Sequence, residues 1–389
     1  MSASKQRKWL LAVILVSYFV VGFPDGAFTI SWIGIFDELN LAIAHSGYIL
    51  VAYSVTYTLA GVLLAWFNRY LKLQAIYFWG LIVMGAGFVA LALAPSFVIA
   101  AAAIAIYGFG TGAMASSMNS YMAKHFDARQ NNWMHCFWGG GATLSPLIMS
   151  QVMAALSWRA GYYVITGFLV IVALILLFSM YKKVWINEIQ VPQFEAEKGQ
   201  TKTRYLSKRW HQVVEILTFF FLGGTDYTLV FFTGMVLMER GFSLEAVGLF
   251  PAVYYICMTA GRMCFGWLAK WLKEVSMIRI GLLIAALGIA VLYFTSNIAG
   301  MALAGFGLGP LLPTLVSDTS NRFMPHVISK LVGLELAAFG AGIAVLFFLT
   351  SQILEFVSLE MLFPIGLIFV VLVFLCNEVL EQAVRAKGK

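Results

Sequence analysis

The chain has 389 residues, 61% of them hydrophobic, with only 25 basic and 18 acidic side chains. An ordinary soluble domain carries about 25% charged residues; this chain carries 11%, and its mean hydropathy is +0.87. So few charges cannot cover a soluble protein of this length, and disordered, nucleic-acid-binding and secreted disulfide-scaffold classes are excluded with it. The composition is that of a polytopic membrane protein.

Lys5, Arg7 and Lys8 precede an apolar run from Trp9 to about Phe36. It is too long for a signal-peptide core and no small-residue cleavage site follows, so it reads as a retained first helix. A spanning helix takes about 20 apolar residues. Runs at 9–36, 46–67, 74–94, 97–123, 131–156 and 159–181 predict six. Runs at 212–238, 245–268, 276–295, 298–317, 331–355 and 359–377 predict six more. No long alternating pattern indicates a β-barrel. Cys136, Cys257, Cys264 and Cys376 sit far apart in apolar segments, with neither disulfide-framework nor zinc spacing. No metal or cofactor is expected.

With twelve spans, both termini fall on one side. Of the 25 basic residues, only Arg159 and Arg240 fall on the other, and Arg262 lies within a helix. Lysine and arginine concentrate in cytoplasmic loops, so both termini are expected in the cytoplasm, with a bacterial cytoplasmic membrane as the setting. The net charge of +7 then reflects topology and contact with anionic lipid.

The long polar stretch, 182–211, separates residues 1–181 from 212–389 and reads as a cytoplasmic linker. The two parts resemble one another at a spacing of roughly 200 residues. Ala60-Gly61 matches Ala260-Gly261, and Gly108-Phe109-Gly110-Thr111-Gly112 matches Gly305-Phe306-Gly307-Leu308-Gly309. Ser150-Gln151 matches Ser351-Gln352, and Asp25 matches Asp226. Four matches in one order predict an all-α fold of two pseudo-symmetric six-helix bundles. A parallel repeat of this kind builds transporters that open alternately to each side. The glycine sets, including Gly139-Gly140-Gly141, lie inside apolar helices without a preceding strand or Lys-Ser/Thr, so they serve helix contact rather than phosphate binding.

Over its whole length the chain resembles the major facilitator superfamily. That family's loop signature Gly-x-Leu-x-Asp-Arg-x-Gly-Arg-Arg is represented by Gly61, Leu63, Asn68, Arg69 and Lys72, with Ala65 where the aspartate would stand. The segment from Asn132 through His135, Trp138 and Gly139-Gly140-Gly141 to Ser145-Pro146 is similar to the fifth helix of the fucose–galactose–proton symporter group and of the related sodium-dependent glucose transporter-like proteins. The resemblance implies uptake of a sugar with a proton or sodium ion, a coupling acid in the first helix where Asp25 stands, and a monomer.

A charge in hydrocarbon costs about 2.5–3.5 kcal/mol on insertion scales and marks a functional candidate. Asp25, Glu215, Asp226, Arg262, Asp318 and Glu335 fall at membrane depth. Asp25 lies between Pro24 and Gly26 and Asp226 follows Gly223-Gly224, each near mid-span beside a helix-weakening element. Both are expected to couple a proton or cation to substrate occupancy; the bland reading is a carboxyl tied to a neighbouring hydroxyl. Arg262, Asp318 and Glu335 are expected to form a cytoplasmic gate, with a permanent structural triad as the alternative. Glu215 is expected to snorkel to the interface.

Sugars present polar edges and an apolar face, so aromatic side chains at depth are candidates. These are Trp138, Tyr53, Tyr57, Tyr227, Tyr254 and Tyr255, with Trp138 and Tyr254 foremost. His135, Asn132 and Asn119, with the two acids Asp25 and Asp226, complete the substrate set. The competing reading is a proton-coupled exporter of drugs or metabolites. Such exporters often carry Gly-Pro in the fifth helix, where this chain has Ser145-Pro146. No HExxH, GxSG or DxxD pattern supports an enzyme.

Overall fold

A computed structural model describes residues 3–126, 128–185 and 205–386. The chain forms two compact units, Met1–Phe194 and Glu195–Lys389. The expected linker is described only at its two ends, 186–204 lying outside the described residues.

The first unit contains α1 (Ala3–Val21), α2 (Phe23–Glu38), α3 (Ala44–Phe67), α4 (Leu73–Ala92), α5 (Phe97–His125), α6 (Ala128–Ala155) and α7 (Trp158–Tyr181). The second contains α8 (Arg209–Glu239), α9 (Leu244–Leu268), α10 (Glu274–Thr295), α11 (Ile298–Leu308), α12 (Leu311–Arg322), α13 (Pro325–Phe356) and α14 (Leu362–Ala386). Helices α1 and α2 form one span broken at Gly22, because Pro24 has no N–H to offer the Val20 carbonyl. Likewise α11 and α12 form one span broken at Gly309-Pro310. Among the described residues, eleven spans are long and apolar enough to cross a bilayer. The twelfth long segment, α6, is not among them; Gln130, Asn131, Asn132, His135 and three glycines dilute its first half.

The sequence repeat reappears as a repeat of helix crossings. Gly141 of α6 lies against the Phe19 carbonyl of α1, and Gly342 of α13 against the Phe220 carbonyl of α8. Reciprocally, Gly22 abuts the Trp138 carbonyl and Gly223 the Phe339 carbonyl. Gly108 and Gly112 of α5 meet the carbonyls of Tyr53 and Tyr57 on α3; Gly305 and Gly309 meet those of Tyr254 and Met258 on α9. Backbones this close leave no room for a Cβ, which is why these positions are glycine. The crossings also correct the register of one sequence match. Pairing Tyr53 with Tyr254 and Tyr57 with Met258 aligns Ala60 with Gly261 and Gly61 with Arg262, one residue from the expected pairing.

The helix ends repeat as well. Asn40 (φ 49) and Gly241 (φ 86) occupy the left-handed position closing α2 and α8. In each, the following amide reaches back five residues, Leu41 to Phe36 and Phe242 to Leu237, both at 3.0 Å.

Candidate functional site

Asp25 enters its site from the first turn of α2. Beside it, Gly26 presses on the Ala142 carbonyl, the Ser145 hydroxyl and the Pro146 ring, where any side chain would collide. That close approach brings Asp25 to Trp138 one turn earlier on α6. The indole Nε1 donates to Asp25 Oδ2 at 3.1 Å. The Asp25 charge also acts on the hydroxyls of Tyr57 and Tyr18. Tyr18 packs edge-on against His135 with centroids 6.0 Å apart. Asp25, Trp138, Tyr57 and His135 therefore belong to one neighbourhood within the first unit.

Tyr18 is the member that sequence reasoning omits. Its signal is the seven-residue step to Asp25, which keeps both on one side of the span because the Gly22 backbone at the break stays helical (φ −74, ψ −19). Tyr53 instead stacks on Tyr107 at 5.0 Å and lies 5.8 Å from Tyr57. Asn119 is exposed on α5 and makes no described contact with Asp25. Asn132 belongs to α6, but its side chain lies outside the described residues.

In the second unit Tyr254 donates its hydroxyl to Asp226 Oδ1. Tyr255 is buried with its ring 5.6 Å from that of Tyr254, and the Arg262 charge reaches Asp226. Tyr227 packs instead among Phe231 and Phe347. The two repeat-related acids thus take their donors from unrelated places, Asp25 from α6 and Asp226 from α9.

The expected gate needs correction. Arg262 pairs with neither Asp318 nor Glu335; its Nε donates to the Gly309 carbonyl at 2.9 Å. That carbonyl would ordinarily receive the amide of residue 313, and Pro313 has none to give. Arg262 supplies the missing donor at the break between α11 and α12.

The partner of the acids is Arg322, which helix α12 carries four residues beyond Asp318. Its Nη2 is 2.7 Å from Asp318 Oδ2 and donates to Asn377 Oδ1 at 2.6 Å; Nη1 donates to Glu215 at 3.2 Å. Glu335 Oε1 lies 3.0 Å from the Thr319 hydroxyl, within hydrogen-bond distance. Glu215 does not snorkel: it is 0% exposed. Leu206, Phe323, Leu331 and Leu380 form an apolar plug beside this cluster, with the Leu206 amide bonded to the Arg322 carbonyl at 2.7 Å.

Set beside known proteins, the chain matches the family model of the Major Facilitator Superfamily over residues 14–347, and it belongs to that superfamily. It is a multi-pass membrane protein and a secondary transporter of small molecules rather than an enzyme. No curated protein sequence matches it. Solved structures share its fold at low identity. A bacterial homolog of the human lysosomal transporter Spinster, inward-facing and occupied, is similar at TM-score 0.74 and 16% identity, with 97% of each chain covered. The nucleoside transporter NupG gives 0.72 and 14%, covering 98% of this chain and 99% of its own. A peptide transporter, POT, gives 0.74 and 15%, covering 97% and 95%. At such identities the likeness extends to the fold alone.

Proposed function

We propose that the protein takes up a sugar together with a proton or sodium ion by alternating access, with Asp25 and Asp226 as coupling acids. The bond between Trp138 and Asp25 carries this reading. It joins, at a helix break near mid-membrane, a carboxylate that can exchange a cation and an indole whose face suits a sugar ring. Tyr57, His135, Tyr254 and Tyr255 are assigned to substrate contact by their nearness to the two acids; Asn119 and Asn132 remain in the set from the sequence. The skew of lysine and arginine supports cytoplasmic termini in a bacterial inner membrane.

The test is uptake of labelled monosaccharides into reconstituted vesicles under an imposed proton or sodium gradient. Accumulation should follow one of the gradients, and Asp25→Asn and Asp226→Asn should abolish it while ligand-induced thermal shifts persist in part. Wild-type accumulation in both variants removes the coupling assignment. Gradient-driven efflux of amphiphilic drugs with no monosaccharide uptake establishes the exporter reading instead.

A further inference from the structure

The Arg322 cluster holds more acid than its one guanidinium can match. Glu215, Asp318 and Glu335 are each at most 4% exposed, so solvent does little to screen them. Arg322 spends Nη1 on Glu215 and Nη2 on Asp318 and Asn377. Glu335 has no ion pair among the described residues, and its Oε2 is buried without a hydrogen-bond partner. A bare carboxylate in that position would be an uncompensated charge, the costliest state a buried group can adopt.

Hydrogen counting points the same way. The Thr319 hydroxyl lies 3.0 Å from Glu335 Oε1, 3.1 Å from the Leu315 carbonyl and 3.4 Å from Glu215 Oε1. All three neighbours are acceptors when the glutamates are ionised, and a hydroxyl has one hydrogen. A proton on Glu335 resolves the conflict: the carboxylic acid donates to the Thr319 oxygen, and Thr319 donates onward. We propose that Glu335 is a proton-binding site, occupied when the cluster is closed as in this structure, and distinct from the mid-span acids. Loss of that proton leaves three carboxylates around one guanidinium, so deprotonation requires the cluster to open and admit water. Release of the proton and separation of α13 from α8 and α12 are then one event.

The other charges facing the cluster do not remove the excess. Glu274 of α10 and Glu381 of α14 act on Asp318 and add negative field. Cys376 of α14 interacts with Glu215. His211, buried one turn before Glu215 on α8, serves as a control.

The experiment is infrared difference spectroscopy on H/D exchange, using the purified full-length protein near neutral pH with 13C-glutamate labelling. The label separates glutamic-acid carbonyl bands from those of Asp25 and Asp226. A labelled carboxylic-acid band is expected in the wild type. It should be lost in Glu335→Gln, kept in His211→Gln, and shifted in Thr319→Val. Absence of any glutamic-acid band in the wild type overturns the proposal without recourse to a variant. So does a band that survives Glu335→Gln, or a wild-type thermal midpoint that rises with sodium at fixed pH and ceases to do so in Glu335→Gln. None of these readouts involves transport, so failure here is distinct from failure of the sugar reading.

Discussion

Arg159 and Arg240 do the same work in their separate units from opposite partners of the clamp. Arg159 opens α7, pairs with Glu38 at the end of α2 at 2.7 Å, and donates to the carbonyls of Ala92 and Ala94 where α4 ends. Arg240 closes α8, pairs with Glu360 ahead of α14, and donates to the Leu292 and Tyr293 carbonyls where α10 ends. Acid and base have changed places between the halves while the three-helix junction is kept. This explains why two arginines persist on the side that the positive-inside pattern otherwise empties.

The clamp predicts an ordering of stabilities. The ion pair is partly exposed, with side chains 26% and 46% accessible, and such pairs are worth about 0–1 kcal/mol. The carbonyls at the end of α4 lose charge-assisted donors when Arg159 is removed, at about 1.5–3 kcal/mol per bond. Arg159→Ala should therefore lower the thermal midpoint in detergent well below that of Glu38→Gln. Equal shifts would mean that the ion pair, and not the helix-end capping, dominates.

The glycine crossings predict a contrast within one helix. Gly342→Ala places a Cβ against the Phe220 carbonyl, whereas Gly340→Ala meets nothing within 4 Å. Overpacking a tight contact costs about 1–3 kcal/mol, and replacing an unneeded helical glycine gains about 0.8–1.0 kcal/mol. Yield and thermal midpoint should fall for Gly342→Ala and hold or rise for Gly340→Ala. The same loss is expected for Gly141→Ala.

Arg262 and Pro313 should be energetically coupled. Arg262→Ala leaves the Gly309 carbonyl without its donor, a penalty of about 1–3 kcal/mol for a buried acceptor. In a Pro313→Ala background residue 313 regains an amide that can reach Gly309, so Arg262→Ala should then cost markedly less. A double-mutant cycle on thermal stability measures the difference. Additive effects would show that the arginine acts elsewhere, with its field on Asp226 the next place to look.

The bundle architecture and the internal repeat were legible because both are written in hydropathy and glycine spacing, which depend on local sequence. Asp25 and Trp138 were both legible as candidates, one by its proline and glycine neighbours and one by motif. Their bond was not, since it depends on how closely Gly26 lets α2 approach α6. The charge cluster was misread for a similar reason. Ser317 to Arg322 is polar enough to resemble a loop, which ends the predicted span at residue 317 and leaves Arg262 as the nearest cation. Helix α12 in fact runs to Arg322, and the i, i+4 spacing of Asp318 and Arg322 was the available sign. Glu215 looked interfacial by distance along its helix alone; Arg322 and the plug around Leu206 are contributed by distant sequence.

The unlike donors of Asp25 and Asp226 yield the last prediction. Tyr254→Phe keeps the ring and its packing on Tyr255 but removes the hydroxyl that holds Asp226, leaving a carboxyl in apolar surroundings short of a partner. Trp138→Phe removes both the indole donor to Asp25 and the largest aromatic face beside it. If the indole also supports substrate, Trp138→Phe should weaken ligand-induced thermal stabilisation as well as gradient-driven accumulation. Tyr254→Phe should reduce accumulation while leaving that stabilisation near the wild-type level. Both measurements are made on purified protein and on vesicles from one preparation, which separates loss of binding from loss of coupling. A Tyr254→Phe variant that loses ligand stabilisation as fully as Trp138→Phe would place the Tyr254 hydroxyl, and not only its ring, in direct substrate contact and give Asp226 a binding rather than a coupling role.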